Sequence, residues 1–180
     1  MEFFDSIIQR NSHFAERDFK PELKMMPSTS TIIVGCVDPR VDPASVLGLE
    51  QGEAVVIRNV GGRVSKQLFE TLAVLRVVAK VAGMEGGARN LILLHHTDCG
   101  IIGCYRRAPD LLARYLAVEL AALDNLAIAD PRKAVAHDVA ALKANDQLPG
   151  EVVVSGLVYD VKTGRVETVV PPTALRPPAD

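Results

Sequence analysis

Thr31-Ile32-Ile33-Val34-Gly35-Cys36 is a short, unbroken apolar run, the pattern of a strand buried on both faces, and the rest of the chain can be read outward from it. Residues 54–57 and 90–95 repeat the pattern. Between them Ser65 to Ala82 reads as a long helix, with Ser65 as N-cap and Gly83 just past the end. Strand, helix, strand alternation implies a parallel sheet with right-handed crossovers. Downstream, the spacing predicts a helix from about Asp110 to Leu126 and another starting at Asp130-Pro131, where a capping acid precedes a proline in the first turn. Val152 to Tyr159 and Arg165 to Val170, joined through Lys162-Thr163-Gly164, read as a hairpin added to the sheet edge. The proline-rich end, residues 171–180, reads as a frayed, flexible tail. The expected class is α/β: a mostly parallel sheet flanked by helices, with an N-terminal helical arm and a C-terminal antiparallel edge hairpin.

The arm is residues 1–27. Phe3, Phe4, Ile7, Ile8, Phe14 and Ala15 recur at the spacing of an amphipathic helix. Four of the chain's five phenylalanines lie there, so the arm must bury them either on its own domain or on a neighbouring subunit. The second option points to a homo-oligomer.

At 180 residues the chain fits one domain, and no repeat or second boundary interrupts it. A net charge of -2 leaves no footprint for nucleic acid or for a membrane surface. Arg76 and Lys80 interrupt the richest apolar stretch, which excludes a spanning helix there, and Glu2 and Asp5 stand where an export signal wants bases. A cytoplasmic location is the expectation. Three cysteines in a chain this long point to metal or catalytic thiols rather than to a disulfide framework.

Those thiols fall in telling places. Cys36 ends one predicted strand and His96 another, and loops at the carboxyl ends of parallel strands build ligand sites. Cys99 follows His96 by three residues, a spacing at which an imidazole and a thiolate can face one ion. Two thiolates and an imidazole suit zinc better than magnesium or calcium, and three protein ligands leave a position for water, as catalytic sites do. Adjacent strand residues face opposite ways, so only one of His95 and His96 can reach the metal, and the spacing to Cys99 selects His96. Cys104 is either a fourth ligand, which would make the site structural, or a packed thiol. In Cys36-Val37-Asp38-Pro39-Arg40 the guanidinium can hold Asp38 ionised and pointed, ready to accept a proton-bearing edge of a metal-bound water. Neither a G-x-G-x-x-G nor a G-x-x-x-x-G-K-[ST] motif follows a predicted strand, which counts against a nucleotide-binding module.

Cys36-Val37-Asp38-Pro39-Arg40 with His96-Thr97-Asp98-Cys99-Gly100 resembles the paired C-x-D-x-R and H-x-x-C signatures of beta-class carbonic anhydrases. Arg58-Asn59-Val60-Gly61-Gly62 between them is similar to the family's R-N-x-G loop. The resemblance runs from Thr31 to the final hairpin and is strongest for the short microbial subgroup, which tends to carry a doubled histidine. It implies a single Rossmann-like domain over residues 1–180, in a homodimer or homotetramer whose cleft lies near the dimer interface. It makes Cys36, His96 and Cys99 the ligands of one zinc per subunit and Asp38 with Arg40 the catalytic dyad, with Asp38 filling the fourth zinc position in an alternative resting state. The implied reaction is reversible hydration of carbon dioxide to bicarbonate and a proton, through attack of zinc hydroxide. Arg58, Gly61 and Gly62 are candidates for holding the anionic product, the alternative being that the glycines only make a tight turn. Two thiolates cancel the formal dication, so activity is expected to rise toward alkaline pH. With no Trp in the chain, regulation through the Trp-lined second bicarbonate pocket of one subgroup is not expected. Two rivals remain: a hydrolase of carbonyl sulfide or carbon disulfide on the same scaffold, and a non-catalytic zinc protein closed by Cys104 or Asp38.

Overall fold

The structure, a computed structural model, describes residues 2–84 and 87–176. Five strands form one sheet in the order β2-β1-β3-β4-β5. They are β1 (Thr31–Cys36), β2 (Ala54–Asn59), β3 (Asn90–His96), β4 (Val153–Asp160) and β5 (Arg165–Ala174). The first four are mutually parallel and β5 returns antiparallel along β4. All six residues of β1 are buried, as the unbroken apolar run requires of a central strand covered on both sides.

Helices α3 (Lys66–Val81) and α6 (Pro131–Lys143) supply the main core. Leu68 and Leu72 from α3 and Val135, Val139 and Leu142 from α6 meet Ile32, Val34, Leu91 and Leu93 of the sheet. Ser65 caps α3 by accepting from the Leu68 amide, and Asp130 caps α6 by accepting from Arg132 and Lys133. The arm forms helix α1 (Glu2–Arg17) as expected, but no residue of that helix is fully buried, and Phe3 and Phe4 stand exposed. No helix among the described residues is long and apolar enough to cross a membrane.

Two expectations need correction. The helix expected over Asp110–Leu126 is broken. Helices α4 (Ile101–Arg107) and α5 (Pro109–Leu116) precede a separate 3-10 stretch, Leu120–Leu126. The break falls at Ala117, whose φ of 56° lets its amide close back on α5, and the fold-back buries Leu112, Leu116 and Leu123 in a second cluster with Ile101. Nor does a frayed tail begin at Pro171. Strand β5 continues through Pro171 and Pro172 to Ala174, which an edge strand tolerates because prolines there can point their missing N–H outward, and Leu175 is buried. Residues 177–180 lie outside the described residues.

Candidate metal centre

The carboxyl ends of β1 and β3 lie side by side, with Gly35 paired to Leu94. Cys36 and His96 therefore close on each other across sixty positions of sequence, and the turn after β3 adds Cys99. One ligand atom from each of Cys36, His96 and Cys99 lies within 4.8 Å of the others. The two sulfurs are 3.8 Å apart. Two thiolates about 2.3 Å from a tetrahedral zinc would stand ~3.8 Å apart, so the separation fits that ion. His96 supplies the sharper test. Its Nδ1 pairs with the Thr97 carbonyl at 2.8 Å, which fixes the proton there, and Nε2 is buried with no partner in the protein. A lone pair so placed beside two sulfurs fits a metal ligand.

The two sulfurs differ electrostatically. A hydrogen bond from Cys99, with further ones from the Asp38 amide at 3.4 Å and the Gly61 amide at 3.3 Å, lowers the Cys36 thiol against the upward push of burial. Cys99, as the donor of that pair, is pushed up. One proton is shared between them without a metal, and a dication would displace it.

Asp38 sits beside this group but not in it; its carboxylate belongs to Arg40. Arg40 donates from Nε to Oδ1 at 3.0 Å and from Nη2 to Oδ2 at 2.7 Å, and the Arg40 amide donates to Oδ1 at 2.9 Å. Hydrogen bonding from Arg40 holds Asp38 at about 2. Of the roughly four acceptor positions on an ionised carboxylate, Oδ1 uses two and Oδ2 one. Oδ2 is left with room for one more donor. Arg40 also reaches Asp98, through its carboxylate at 2.9 Å and its carbonyl at 3.0 Å, and so ties the Cys36 turn to the Cys99 turn. Asp98 had no role in the sequence reading; its φ of 55° lies in the left-handed region, which aspartate enters more readily than most residues.

The R-N-x-G loop braces the same turn. Arg58 donates to the Cys36 carbonyl at 2.9 Å, the Asp38 carbonyl at 2.8 Å and the Asp42 carboxylate at 3.2 Å. Asn59 accepts from the Arg63 amide and donates to the Arg63 carbonyl, both at 2.8 Å, closing the loop on itself. Gly62 has a φ of 65°, and a Cβ there would lie 3.2 Å from the Gly35 backbone, so the loop presses on the strand carrying Cys36.

Of the two adjacent histidines, His95 turns to the opposite face, as strand alternation requires. It meets the Gly62 carbonyl at 3.2 Å and Asp138 of α6 at 3.4 Å. Asp138 is clamped by Arg63 through Nε at 2.8 Å and Nη2 at 2.9 Å. Burial pushes the Asp138 carboxyl up, but hydrogen bonds from His95 and Arg63 outweigh it and bring it down to about 2. Neither Arg63 nor Asp138 was visible in the sequence as a partner of the site. Cys104 lies outside the group on α4, packed in the second apolar cluster.

Residues 31–148 match the family model described as carbonic anhydrase. Beta-carbonic anhydrase 1 of Mycobacterium tuberculosis is 31% identical over 170 residues, covering 93% of this chain and 98% of that protein. The chain belongs to the beta-class carbonic anhydrase family. Among solved structures, the carbonic anhydrase of Streptococcus mutans superposes with a TM-score of 0.72 at 34% identity, covering 94% of this chain and 98% of that one. A carbon disulfide hydrolase of an Acidianus strain is 24% identical over 92% of this chain and 88% of its own length. This beta-class carbonic anhydrase thus has the five-stranded sheet with an N-terminal helix that such structures share.

Proposed function

We propose that the chain catalyses the reversible hydration of carbon dioxide to bicarbonate and a proton, with one zinc per subunit held by Cys36, His96 and Cys99. The buried, unpartnered Nε2 of His96, facing two sulfurs at zinc spacing, carries this reading. When bound there, zinc supplies a Lewis acid that makes a water nucleophilic at accessible pH. The chain's own residues do the rest. Cys36 accepts backbone N–H groups from Asp38 and Gly61, which stabilise its thiolate. Asp38, kept ionised by Arg40, offers the open position on Oδ2 to a water proton and so turns the water's lone pair toward carbon dioxide. Arg40 acts by aiming Asp38 and by holding the two ligand turns together. An anionic product would have to displace Cys36 Sγ to reach the Gly61 amide, whereas Arg58 spends three of its five N–H groups on the Cys36, Asp38 and Asp42 oxygens and keeps two. Asp38 in the fourth zinc position would require its carboxylate to move, since it lies outside the group that Cys36, His96 and Cys99 form.

Exposure of Phe3 and Phe4 on a helix with no fully buried residue supports a homodimer or homotetramer with that helix laid on a neighbour.

Stopped-flow hydration of carbon dioxide by the zinc-loaded protein tests the activity, with Cys36→Ala as control. We expect kcat/KM to rise toward alkaline pH, because two thiolates weaken the metal's pull on water; a profile already flat from about pH 6 upward would contradict it. The Acidianus relative motivates a second reading, hydrolysis of carbon disulfide or carbonyl sulfide through the same residues. Parallel assays decide between them: turnover of the sulfur substrates without carbon dioxide hydration would overturn the first reading.

A further inference from the structure

Arg63 and Asp138 form a two-point guanidinium–carboxylate pair that the reaction itself does not use. It is sealed: the side chains are 4% and 2% exposed. Arg63 follows directly on the Gly61-Gly62 loop, and its clamp on Asp138 is doubled by the Val64 amide, which donates to the same carboxylate at 3.0 Å. Helix α6 thereby holds residues 63 and 64, and through them the loop whose Gly61 amide reaches Cys36 Sγ. A second route runs through His95, which bridges Asp138 and the Gly62 carbonyl and immediately precedes His96. A cavity of about 10 Å³ is lined by Arg63 and His95 together with His96 and Cys99, so two side chains that touch Asp138 border two of the three ligands. Arg63 Nη1 is buried without a partner in the protein. A buried ion pair is on average no more stabilising than apolar side chains of the same size, and one with an orphaned N–H is less so. Stability alone therefore does not account for it.

We propose that Arg63 and Asp138 are positioning residues for the metal centre, setting the Gly61-Gly62 loop against Cys36 and the end of β3 against His96. The inference rests on the reading of Cys36, His96 and Cys99 as metal ligands. Loss of the pair lets the loop and the strand end relax, so the ligands no longer meet at a fixed separation.

Cobalt(II) binding to the full-length chain tests this, read by chelator competition and by the thiolate-to-cobalt absorption band, with circular dichroism and cooperative melting to report folding. The double variant Arg63→Met, Asp138→Leu removes both charges and leaves no buried ion unpaired. It should fold, bind cobalt about 10- to 100-fold more weakly, and show a shifted band, as loss of outer partners does at metal sites. A folded double variant with the parent's affinity and band would overturn the proposal. Should the double variant not fold, Arg63→Lys decides: it keeps the charge but not the two-point clamp, and unchanged affinity and band would again overturn it. Failure of the parent chain itself to bind cobalt through sulfur would remove the metal reading and this inference together, whereas the outcomes above strike only the inference.

Discussion

The two-point clamps of Arg40 on Asp38 and of Arg63 on Asp138 share a geometry and differ in burial. Arg40 grips Asp38 at the mouth of the site with its side chain 49% exposed, while Arg63 grips Asp138 behind the site in near-complete burial. Water screens the first pair, so it contributes little to folding and is free to work: one position on Asp38 Oδ2 stays open and Arg40 spans two turns. Desolvation makes the second pair costly to break, because either partner left alone is a buried charge. One pair is placed for chemistry and the other for shape.

The largest contrast comes from breaking each pair on one side. Asp138→Ala strands the Arg63 charge and should destabilise the fold by about 3–5 kcal/mol in urea unfolding, whereas a loss under about 1 kcal/mol would show that solvent already reaches Arg63. Asp38→Asn should do the reverse. Its melting temperature should stay close to the parent's, and kcat/KM for carbon dioxide hydration should fall about 100-fold or more at every pH, since the amide cannot accept the water proton as the carboxylate does. Equal activity in the Asn variant would remove Asp38 from the mechanism.

Acid provides a finer probe. Asp138 is held at about 2, below the ordinary carboxylate value of 3.8, so its contribution is complete above about pH 4 and is lost as pH falls through about 2. Measured against the Arg63→Met, Asp138→Leu variant, the parent's stability should shrink by on the order of 2 kcal/mol between pH 5 and pH 2. A difference that stays constant over that range would mean Asp138 is not the carboxylate that folding depresses.

The sequence displayed the chemistry more clearly than its support. Apolar runs at Thr31–Cys36 and residues 90–95 announced buried strands, and their ends placed Cys36 and His96 together because parallel strands in register must end side by side. Alternation along β3 separated His95 from His96 for the same reason. Asp138 could not be found that way. In Ala136-His137-Asp138-Val139 it reads as part of a solvated helix face, and its partner Arg63 lies 75 positions away with no periodicity linking them. The break at Ala117 was equally silent, since alanine carries no preference for a positive φ and the turn is imposed by the apolar cluster beneath it. Pro171 and Pro172 misled in the other direction: they argue against a central strand, and β5 is an edge.

Zinc K-edge absorption on the purified protein, with metal content measured alongside, tests the central claim most directly. The account predicts one zinc per chain with two sulfurs at about 2.3 Å and a nitrogen at about 2.0–2.1 Å, and loss of that signal in Cys36→Ala. A bound metal with no sulfur around it, or a chain that takes up no stoichiometric metal at all, would contradict it.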